Sequence, residues 1–191
     1  MTDSAADKTT LRKTALNLRK STHASSTGAA RRAAGHALRE IGRLRHFRCV
    51  SAYLPMRSEM DTAPLLHALA GQGYAVCLPV VEAVDAPLVF RFWTPGAAVV
   101  PGAHGVMVPE SGAEAEPEIL VVPLLAFDAD CYRLGYGGGY FDRTLARFRD
   151  DREIVALGFA YAAQEVVSLP RDDWDMPLDG IITENGVRWR G

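Results

Sequence analysis

Apolar positions recur along this chain with two different periods, which distinguish helices from strands. Apolar residues three or four positions apart predict helices that bury one face, and short, nearly continuous apolar runs predict buried strands. The predicted helices span residues 8–20, 28–44, 62–70 and 139–148, and Asp7 is the candidate N-cap of the first. The predicted strands span residues 49–54, 74–80, 88–93, 118–122, 154–159 and 180–183.

The order of these elements predicts the fold class. Helices and strands alternate, which is typical of an α/β fold built around a largely parallel sheet. The chain shows no internal repeat and no linker longer than a loop, and its 191 residues fit one domain. We therefore expect residues 1–191 to form a single three-layer α/β domain, with a largely parallel central sheet flanked by helices.

Composition excludes several classes of protein. Hydrophobic residues make up 48% of the chain, and no apolar run approaches the roughly 20 residues that span a bilayer. The N-terminus is polar and acidic, unlike a secretory signal, so we expect a cytoplasmic protein. Its three cysteines form no CxxC pair, and we expect them to be reduced and structural.

The net charge of −2 conceals a strong asymmetry along the chain. Residues 1–50 hold 11 Lys and Arg against three Asp and Glu, a net of +8, and the rest holds 10 against 20, a net of −10. On a helical wheel Lys8, Arg12 and Arg19 fall within roughly 40° of one another and form a basic stripe. Such a stripe fits nucleic-acid binding, nucleotide phosphates or a solvated helix face.

The segment RLGYGGGYFDR, residues 133–143, is the most informative part of the sequence. Four glycines among residues 135–139 let the backbone approach an anion without obstruction by a Cβ atom. The helix predicted after them offers free N–H groups and its positive dipole end to a phosphate. A flexible turn is the alternative, and neither the Walker pattern nor GxGxxG is present. Phe141, Leu145 and Phe148 are spaced to face the core, which leaves Asp142 on another face.

This segment resembles the glycine loop of the 5-formyltetrahydrofolate cyclo-ligase family, whose members are also called methenyltetrahydrofolate synthetases. The resemblance covers nearly the whole chain and includes a KxxxR segment formed by Lys8 and Arg12. Its other motifs are YLPMRSEMDT (53–62), LPVV (78–81), FRFWTPG (90–96), VPLLAFD (122–128), GFAYAAQ (158–164) and WDMPLDGIITE (174–184). The chain departs from the usual family pattern at Cys131, Tyr136, Phe141 and Trp174.

The resemblance implies an activity and its cofactors, ATP and Mg²⁺. By this resemblance the protein converts 5-formyltetrahydrofolate and ATP into 5,10-methenyltetrahydrofolate, ADP and phosphate. ATP phosphorylates the formyl oxygen, the 10-position nitrogen attacks the formyl carbon, and phosphate departs. No protein nucleophile is needed, so catalysis is mostly alignment and charge stabilisation. The implied catalytic residues are Arg133 and Tyr140.

The resemblance also implies which residues bind each ligand. The implied ATP-binding residues are Lys8, Arg12, Arg133, Leu134, Gly135, Tyr136, Gly137, Gly138, Gly139, Tyr140 and Phe141. The implied folate-binding residues are Leu54, Glu59, Tyr136, Gly138 and Tyr140. Asp142 and Asp175 are the implied Mg²⁺ contacts, since Mg²⁺ prefers oxygen ligands and commonly takes one or two carboxylates.

Simpler alternatives stay open at this stage. Glu59 also fits a surface carboxylate in a loop, Asp142 a charge in the first turn of a helix, and Asp175 a loop residue. The five histidines show no ligand spacing, so we assign them no metal role. We expect a monomer that binds small-molecule substrates, with no nucleic-acid and no membrane partner. The other hypotheses are a nucleic-acid-binding protein and a sugar-phosphate isomerase on a related fold, and neither accounts for Glu59 and the glycine loop together.

Overall fold

The computed structural model describes residues 3–191, with the side chains of the first helix described from Lys8 onward. Its helices are α1 (Asp3–Ser25), α2 (Ala29–Arg43), α3 (Ala63–Gly71) and α4 (Tyr140–Asp151). Its strands are β1 (Cys49–Ser51), β2 (Ala75–Val80), β3 (Val89–Phe92), β4 (Val99–Pro101), β5 (Met107–Pro109), β6 (Ile119–Val122), β7 (Ala126–Phe127), β8 (Arg133–Leu134), β9 (Val155–Phe159), β10 (Gly180–Thr183) and β11 (Gly186–Trp189). Short 3₁₀ helices span Ala103–Gly105 and Ala162–Gln164.

Within residues 3–191, seven strands form a central sheet in the order β11-β10-β9-β6-β1-β2-β3. The five strands from β10 to β2 are parallel to their neighbours within that group. The edge strands β3 and β11 are antiparallel to β2 and β10. β11 follows β10 after a two-residue turn, a connection too short for a parallel crossover. The predicted α/β class with a largely parallel sheet is confirmed.

Side chains along the strands alternate between two apolar layers, because successive residues of a strand point to opposite faces. In β6, Ile119 and Val121 pack in the same cluster as α2 and α3. Leu120 and Val122 pack in the cluster that contains Leu145 of α4. The sheet is therefore covered by helices on both faces, as the three-layer prediction requires.

α2, α3 and α4 follow their predictions. The buried residues of α2 all lie on the stripe that the helical period predicts, and they are Ala29, Ala33, Ala34, Ala37 and Ile41. Pro64 lies in the first turn of α3, where its missing N–H costs nothing. In α4, Leu145 and Phe148 are buried and Phe141 packs against the same core. The apolar periodicity was a sufficient guide for these three helices.

α1 differs from its prediction at both ends. The helix begins at Asp3, so Asp7 lies inside it and the predicted N-cap is wrong. It also continues to Ser25, because the sequence from Asp3 to Thr27 contains neither proline nor glycine to interrupt it. From Lys8 onward, its apolar side chains pack in a small cluster whose buried members are Ala15, Leu125, Ala126, Leu134 and Leu169.

Two short hairpins, β4–β5 and β7–β8, were not predicted, since strands of two or three residues show no period. The β7–β8 hairpin lies between β6 and the glycine loop, so the loop follows β8 rather than the strand at residues 118–122. Asp128 stabilises the turn of this hairpin: its Oδ1 accepts the N–H groups of Asp130 and Tyr132, both at 3.1 Å. β1 is shorter than predicted and ends at Ser51.

The three cysteines are free, with Cys77 and Cys131 buried and Cys49 half-buried. Among residues 3–191, no helix combines the length and the apolar character needed to cross a membrane.

Candidate active site

The predicted site residues gather where β1, β6 and β9 end. Ligands of parallel sheets bind beyond the carboxyl ends of the strands. Tyr53, just after β1, donates its hydroxyl to the carbonyls of Met60 at 3.1 Å and Phe159 at 3.4 Å, and Phe159 is the last residue of β9. Arg19 of α1 donates from Nη1 to the carbonyl of Leu124, just after β6, at 3.2 Å. α1 therefore lies against this edge of the sheet.

The glycine loop, residues 135–139, connects β8 to the N-terminus of α4. Gly137 and Gly139 have φ angles of 101° and 65°, in the left-handed region that favours glycine. A Cβ at Gly138 would lie 2.8 Å from the ring of Tyr140, and one at Gly139 would lie 2.8 Å from Nη1 of Arg143. Gly139 is the N-cap of α4 and makes no side-chain cap bond. The loop thus requires glycine and presents the first-turn N–H groups of α4, as an anion site does.

Two cations of α1 contact predicted site residues. Arg12 donates from Nε to the carbonyl of Gly135 at 3.1 Å. Lys8 is largely buried, and its Nζ donates to Oδ2 of Asp172 and Oδ2 of Asp175, both at 2.6 Å. Burial alone would lower the pKa of Lys8, but the two hydrogen bonds and the carboxylate charges outweigh it and raise the pKa. The stripe formed by Lys8 and Arg12 is therefore not a solvated face.

Arg133 and Asp142 form an ion pair beneath the loop. The Arg133 side chain is only 4% exposed, and its Nη2 donates to Oδ1 of Asp142 at 2.9 Å. Its Nη1 donates to the carbonyl of Met176 at 2.7 Å, and the N–H of Met176 donates back to Oδ1 of Asp142 at 3.1 Å. Burial lowers the pKa of Arg133, and the Asp142 charge opposes that shift. Arg133 holds α4 against residues 175–177.

Asp142 and Asp175 are brought to one side of the glycine loop. Asp142 uses Oδ1 for Arg133 and Met176, and Asp175 uses Oδ2 for Lys8 and for the N–H of Asp172. Among the described residues, the other oxygen of each carboxylate accepts no hydrogen bond. The part of the chain that the structure describes contains no group of three or more metal-ligating side chains. A Mg²⁺ ion needs only one or two carboxylates when phosphate and water oxygens complete its shell, so these residues fit that ion.

Glu59 lies in a second, buried polar cluster. It is 5% exposed, its Oε2 accepts the N–H of Met56 at 2.8 Å, and its Oε1 lies 3.7 Å from Nη1 of Arg19. Burial raises the pKa of Glu59, and the Met56 N–H and the Arg19 charge act in the opposite direction. Leu54 is half-buried and packs against the main core nearby. Glu59 is not the surface carboxylate of the simpler alternative.

Tyr136 connects the glycine loop with this cluster. Its ring is 43% exposed, and its hydroxyl accepts a hydrogen bond from Nη2 of Arg19. The Arg19 guanidinium also lies over the ring, with Cζ 5.5 Å from the ring centroid. Burial raises the pKa of Tyr136, and the charge of Glu59 adds to the shift. Tyr136 was predicted to bind both ATP and the folate, and its contacts make the two predicted sets of residues neighbours.

Tyr140 begins α4 and faces the β4–β5 hairpin. Its hydroxyl lies 3.2 Å from Nε2 of His104, in the 3₁₀ turn between those strands. Arg143 lies over the Tyr140 ring, with Cζ 5.2 Å from the centroid, and donates from Nη2 to the carbonyl of Gly138 at 2.5 Å. This packing fixes the Tyr140 ring against the loop.

Three residues of this site were not predicted as site residues. Arg19 was seen only as part of the basic stripe, although its place four residues after the buried Ala15 indicates a buried position. Asp172 and Asp175 both form ion pairs with Lys8, and no sequence pattern indicated that Asp172 would do so. His104 approaches Tyr140 through a hairpin that has no periodic signal. The ligand roles assigned to the residues on the site stay predictions.

Comparisons with known proteins show which sequences and structures this chain resembles. The model of the 5-formyltetrahydrofolate cyclo-ligase family matches residues 4–184. An Escherichia coli (strain K12) protein named 5-formyltetrahydrofolate cyclo-ligase is 33% identical over 144 residues, which cover 72% of this chain and 79% of that protein. A Haemophilus influenzae protein of the same name is 33% identical over 153 residues, covering 77% and 81%. The NMR structure of Aquifex aeolicus 5,10-methenyltetrahydrofolate synthetase is similar with a TM-score of 0.79 and 30% identity, covering 95% of this chain and 92% of that one.

Proposed function

Because the chain belongs to the 5-formyltetrahydrofolate cyclo-ligase family, we propose that it uses ATP to cyclise 5-formyltetrahydrofolate to 5,10-methenyltetrahydrofolate, releasing ADP and phosphate. The protein is an enzyme, a ligase with methenyltetrahydrofolate synthetase activity. The observation that supports the ATP-dependent mechanism is that Tyr136 connects two halves of the site. One half is the glycine loop at the N-terminus of α4, and the other is the buried Glu59.

The glycine loop is the proposed phosphate site. The N–H groups of the first turn of α4 and the positive end of its dipole favour an anion, Arg12 adds a positive charge at Gly135, and Lys8 adds one at Asp175. A Cβ atom at Gly138 would displace the Tyr140 ring, and Gly139 has a positive φ that disfavours any other residue. We infer that the ATP phosphates lie along residues 133–141, with the terminal phosphate toward Tyr136 and Tyr140.

Glu59 and Leu54 are the proposed pterin contacts. An ionised carboxylate accepts two N–H donors, which matches adjacent N–H groups of a pterin ring, and its hydrogen bonds are stronger because it is charged. Leu54 supplies apolar surface beside it. Tyr136 of the glycine loop contacts Arg19, which faces Glu59. We infer that a folate held at Glu59 points its formyl group toward the loop and the start of α4, where Tyr136, Gly138 and Tyr140 contact it.

Mg²⁺ is the proposed metal, held by Asp142 and Asp175 through the oxygens that accept no hydrogen bond from the described residues. When bound, the ion neutralises charge that develops on the phosphoryl oxygens. Lys8 already lies between Asp172 and Asp175, so a phosphate that enters here meets a cation whose position is fixed by two carboxylates.

The chemistry then needs alignment more than a reactive side chain. The formyl oxygen attacks the terminal phosphorus of ATP, and the bond to the ADP oxygen breaks. The 10-position nitrogen next attacks the formyl carbon and loses its proton, and the carbon–oxygen bond breaks as phosphate leaves. The loop N–H groups, Lys8 and Arg12 stabilise the transferring group. Tyr140 is placed at the start of α4 to contact that group, and Arg133 keeps Asp142 and α4 in place.

Incubation of the purified protein with 5-formyltetrahydrofolate and MgATP tests the proposal. We expect methenyltetrahydrofolate, ADP and phosphate in equal amounts, and no product when ATP is omitted. Glu59→Gln is expected to weaken folate binding more than ATP binding, because it removes the charged acceptor and leaves the loop intact. Product formation without ATP, or calorimetry in which Glu59→Gln weakens only ATP binding, contradicts the proposed mechanism.

The other hypotheses receive no support from a specific observation. Lys8, Arg12 and Arg19, which suggested a nucleic-acid surface, all contact other parts of the chain at the site. A cytoplasmic location, a monomeric state and the assignment of residues 1–191 to one domain stay predictions. Gel filtration of the purified protein tests the monomer.

A further inference from the structure

Arg19 is the largest of the fully buried side chains in the described part of the chain. Its guanidinium contacts three separate segments. Nε donates to Oγ of Ser58 at 3.3 Å, Nη1 donates to the carbonyl of Leu124 at 3.2 Å, and Nη2 donates to the hydroxyl of Tyr136. These acceptors are all neutral, so they orient the guanidinium without neutralising its charge.

The charge of Arg19 is balanced by Glu59. Oε1 of Glu59 lies 3.7 Å from Nη1 of Arg19, longer than a hydrogen bond, and both side chains are almost completely inaccessible to solvent. Stability alone does not require such a pair. When a buried ion pair is replaced by apolar residues of similar volume, the protein is often equally stable or more stable. Arg19 is fixed by three neutral acceptors and faces one carboxylate. This arrangement indicates that the function of the protein requires a charged Glu59.

We propose that Arg19 is a positioning residue that keeps Glu59 ionised and holds Tyr136 beside it, so that a folate is bound at Glu59 in line with the glycine loop. This inference rests on the proposed function, since it assigns Glu59 to the folate. From the sequence, Arg19 was only one member of the basic stripe on α1. Arg19 itself, being fully buried, does not contact the folate.

The groups that face Glu59 support this role. Arg19 of α1 is the cation among them, and Tyr53 after β1 and Tyr136 in the glycine loop are the titratable neutral groups. Burial raises the pKa of Tyr161, after β9, and the charge of Arg19 opposes that shift. Burial raises the pKa of Glu59, and both the Arg19 charge and the Tyr136 hydroxyl act to lower it. Loss of Arg19 therefore raises the pKa of Glu59 further, toward the pH at which the enzyme works.

A purely structural role for Arg19 predicts a different set of effects. If Arg19 served only to dock α1, its replacement would displace Lys8 and Arg12 as well, and ATP binding would weaken together with folate binding. A positioning role at Glu59 predicts that folate binding weakens selectively and that the loss depends on pH. The two roles are separated by measuring both ligands over a range of pH.

The test compares Arg19→Met, which keeps the length and removes the charge, with Arg19→Lys, which keeps the charge. Lys20→Met removes a charge from the exposed neighbour on the same helix and is the matched control. The melting temperature of each variant is measured first. Calorimetry then gives the affinities for ATP and for 5-formyltetrahydrofolate separately, and carboxyl-carbon NMR of the unliganded protein follows the titration of Glu59.

In Arg19→Met we expect the pKa of Glu59 to rise and folate affinity at neutral pH to fall about tenfold. Because folate binds to ionised Glu59, its affinity falls as the pH decreases through that pKa, and the fall begins at a higher pH in the variant. ATP affinity stays within about twofold, Arg19→Lys recovers part of the folate affinity, and Lys20→Met matches the wild type.

The proposal is overturned if folded Arg19→Met keeps the Glu59 titration and the folate affinity of the wild type, or loses ATP and folate affinity equally. If Arg19→Met does not fold, Arg19→Gln takes its place in the same measurements, because it also removes the charge but keeps N–H donors for the neutral acceptors. Failure of the proposed function gives a separate result. The wild type then does not bind 5-formyltetrahydrofolate, while the Glu59 titration still moves in Arg19→Met and supports the coupling between these residues.

Discussion

α1 and α2 are consecutive helices, both rich in alanine and basic residues, yet they are held to the sheet in opposite ways. The buried residues of α2 are all apolar. On α1 from Lys8 onward the buried residues are Lys8, Ala15 and Arg19, two of which are charged. α2 therefore depends on the hydrophobic effect, whereas α1 depends on hydrogen bonds and ion pairs to the site.

This difference separates stability from function in one molecule. Burial of alanine and isoleucine on α2 is not directional and involves no group that a ligand needs. The charges on α1 are directional and contact the glycine loop, Asp175 and the Glu59 cluster. We therefore expect substitutions on α2 to change the free energy of unfolding, and those at the contacts of α1 and the glycine loop to change ligand binding and turnover. The four predictions below test that separation.

The largest expected effect is on the apolar side. Ile41→Ala removes a fully buried side chain of α2 and leaves a cavity, so we expect the free energy of unfolding to fall by about 2–5 kcal/mol. Urea unfolding measures the loss, and Ile41→Val, which removes one methyl group, should cost about 0.5–1.5 kcal/mol. Turnover per folded molecule should be unchanged. A large fall in turnover for folded Ile41→Ala would mean that α2 also shapes the site.

Asp142→Asn tests the ion pair beneath the loop. The substitution keeps the size and an acceptor oxygen but leaves the buried Arg133 charge without its partner. We expect a loss of about 2–3 kcal/mol, below the range for fully buried pairs because the Asp142 side chain is 22% exposed. This exceeds the roughly 0.3–1 kcal/mol expected for a helix-end charge alone. The double variant Arg133→Met with Asp142→Asn should recover part of the stability.

The same variant tests the proposed metal site. If Asp142 also holds Mg²⁺, turnover at saturating ATP and folate should require more Mg²⁺ and partly recover when it is supplied, with folate affinity nearly intact. Unaltered Mg²⁺ dependence in stable Asp142→Asn would remove Asp142 from the metal site and leave its ion pair with Arg133.

Lys8→Met tests the charged attachment of α1. We expect turnover to fall about 100-fold, equivalent to about 2.7 kcal/mol, because the substitution removes a cation from the phosphates. The cost in stability should be only about 1 kcal/mol, since the paired carboxylates of Asp172 and Asp175 are 28% and 20% exposed and can be solvated. Lys13→Met, at an exposed position of α1, is the control. Equal losses of turnover in both variants would contradict a specific role for Lys8.

The same contrast explains how much of the fold was predictable. α2 and α4 were predicted correctly because one apolar face repeats with the helical period, and β6 because a short continuous apolar run predicts a buried strand. The β4–β5 and β7–β8 hairpins were missed because their strands are too short to have a period. β11 has only half-buried and exposed positions, so no apolar run indicated it. The sheet order follows from pairing between distant residues, which local periodicity does not specify.

The site was predictable only in part, and for a different reason. The glycine loop is continuous in sequence, so its chemistry was visible directly, and the family resemblance supplied Glu59, Asp142 and Asp175 as implied contacts. Arg19 was missed because an arginine on a helix is usually solvated, and its burial depends on Ser58, Leu124 and Tyr136, which are distant in sequence. Polar contacts between distant segments have no periodic signal.

The smallest expected effects come from replacing one glycine by alanine in α2 and one in the glycine loop. Gly35→Ala in the middle of α2 should stabilise the protein by about 0.5–1 kcal/mol, because alanine favours the helix and its Cβ would meet nothing closer than 3.9 Å. Gly138→Ala should weaken ATP binding about tenfold, or about 1.4 kcal/mol, because its Cβ would lie 2.8 Å from the Tyr140 ring and displace it from the loop. Calorimetry with ATP and urea unfolding are measured for both variants. If the two variants bind ATP equally well, the close packing of the glycine loop is not what ATP binding requires, and the contrast between the two regions holds only for their charged residues.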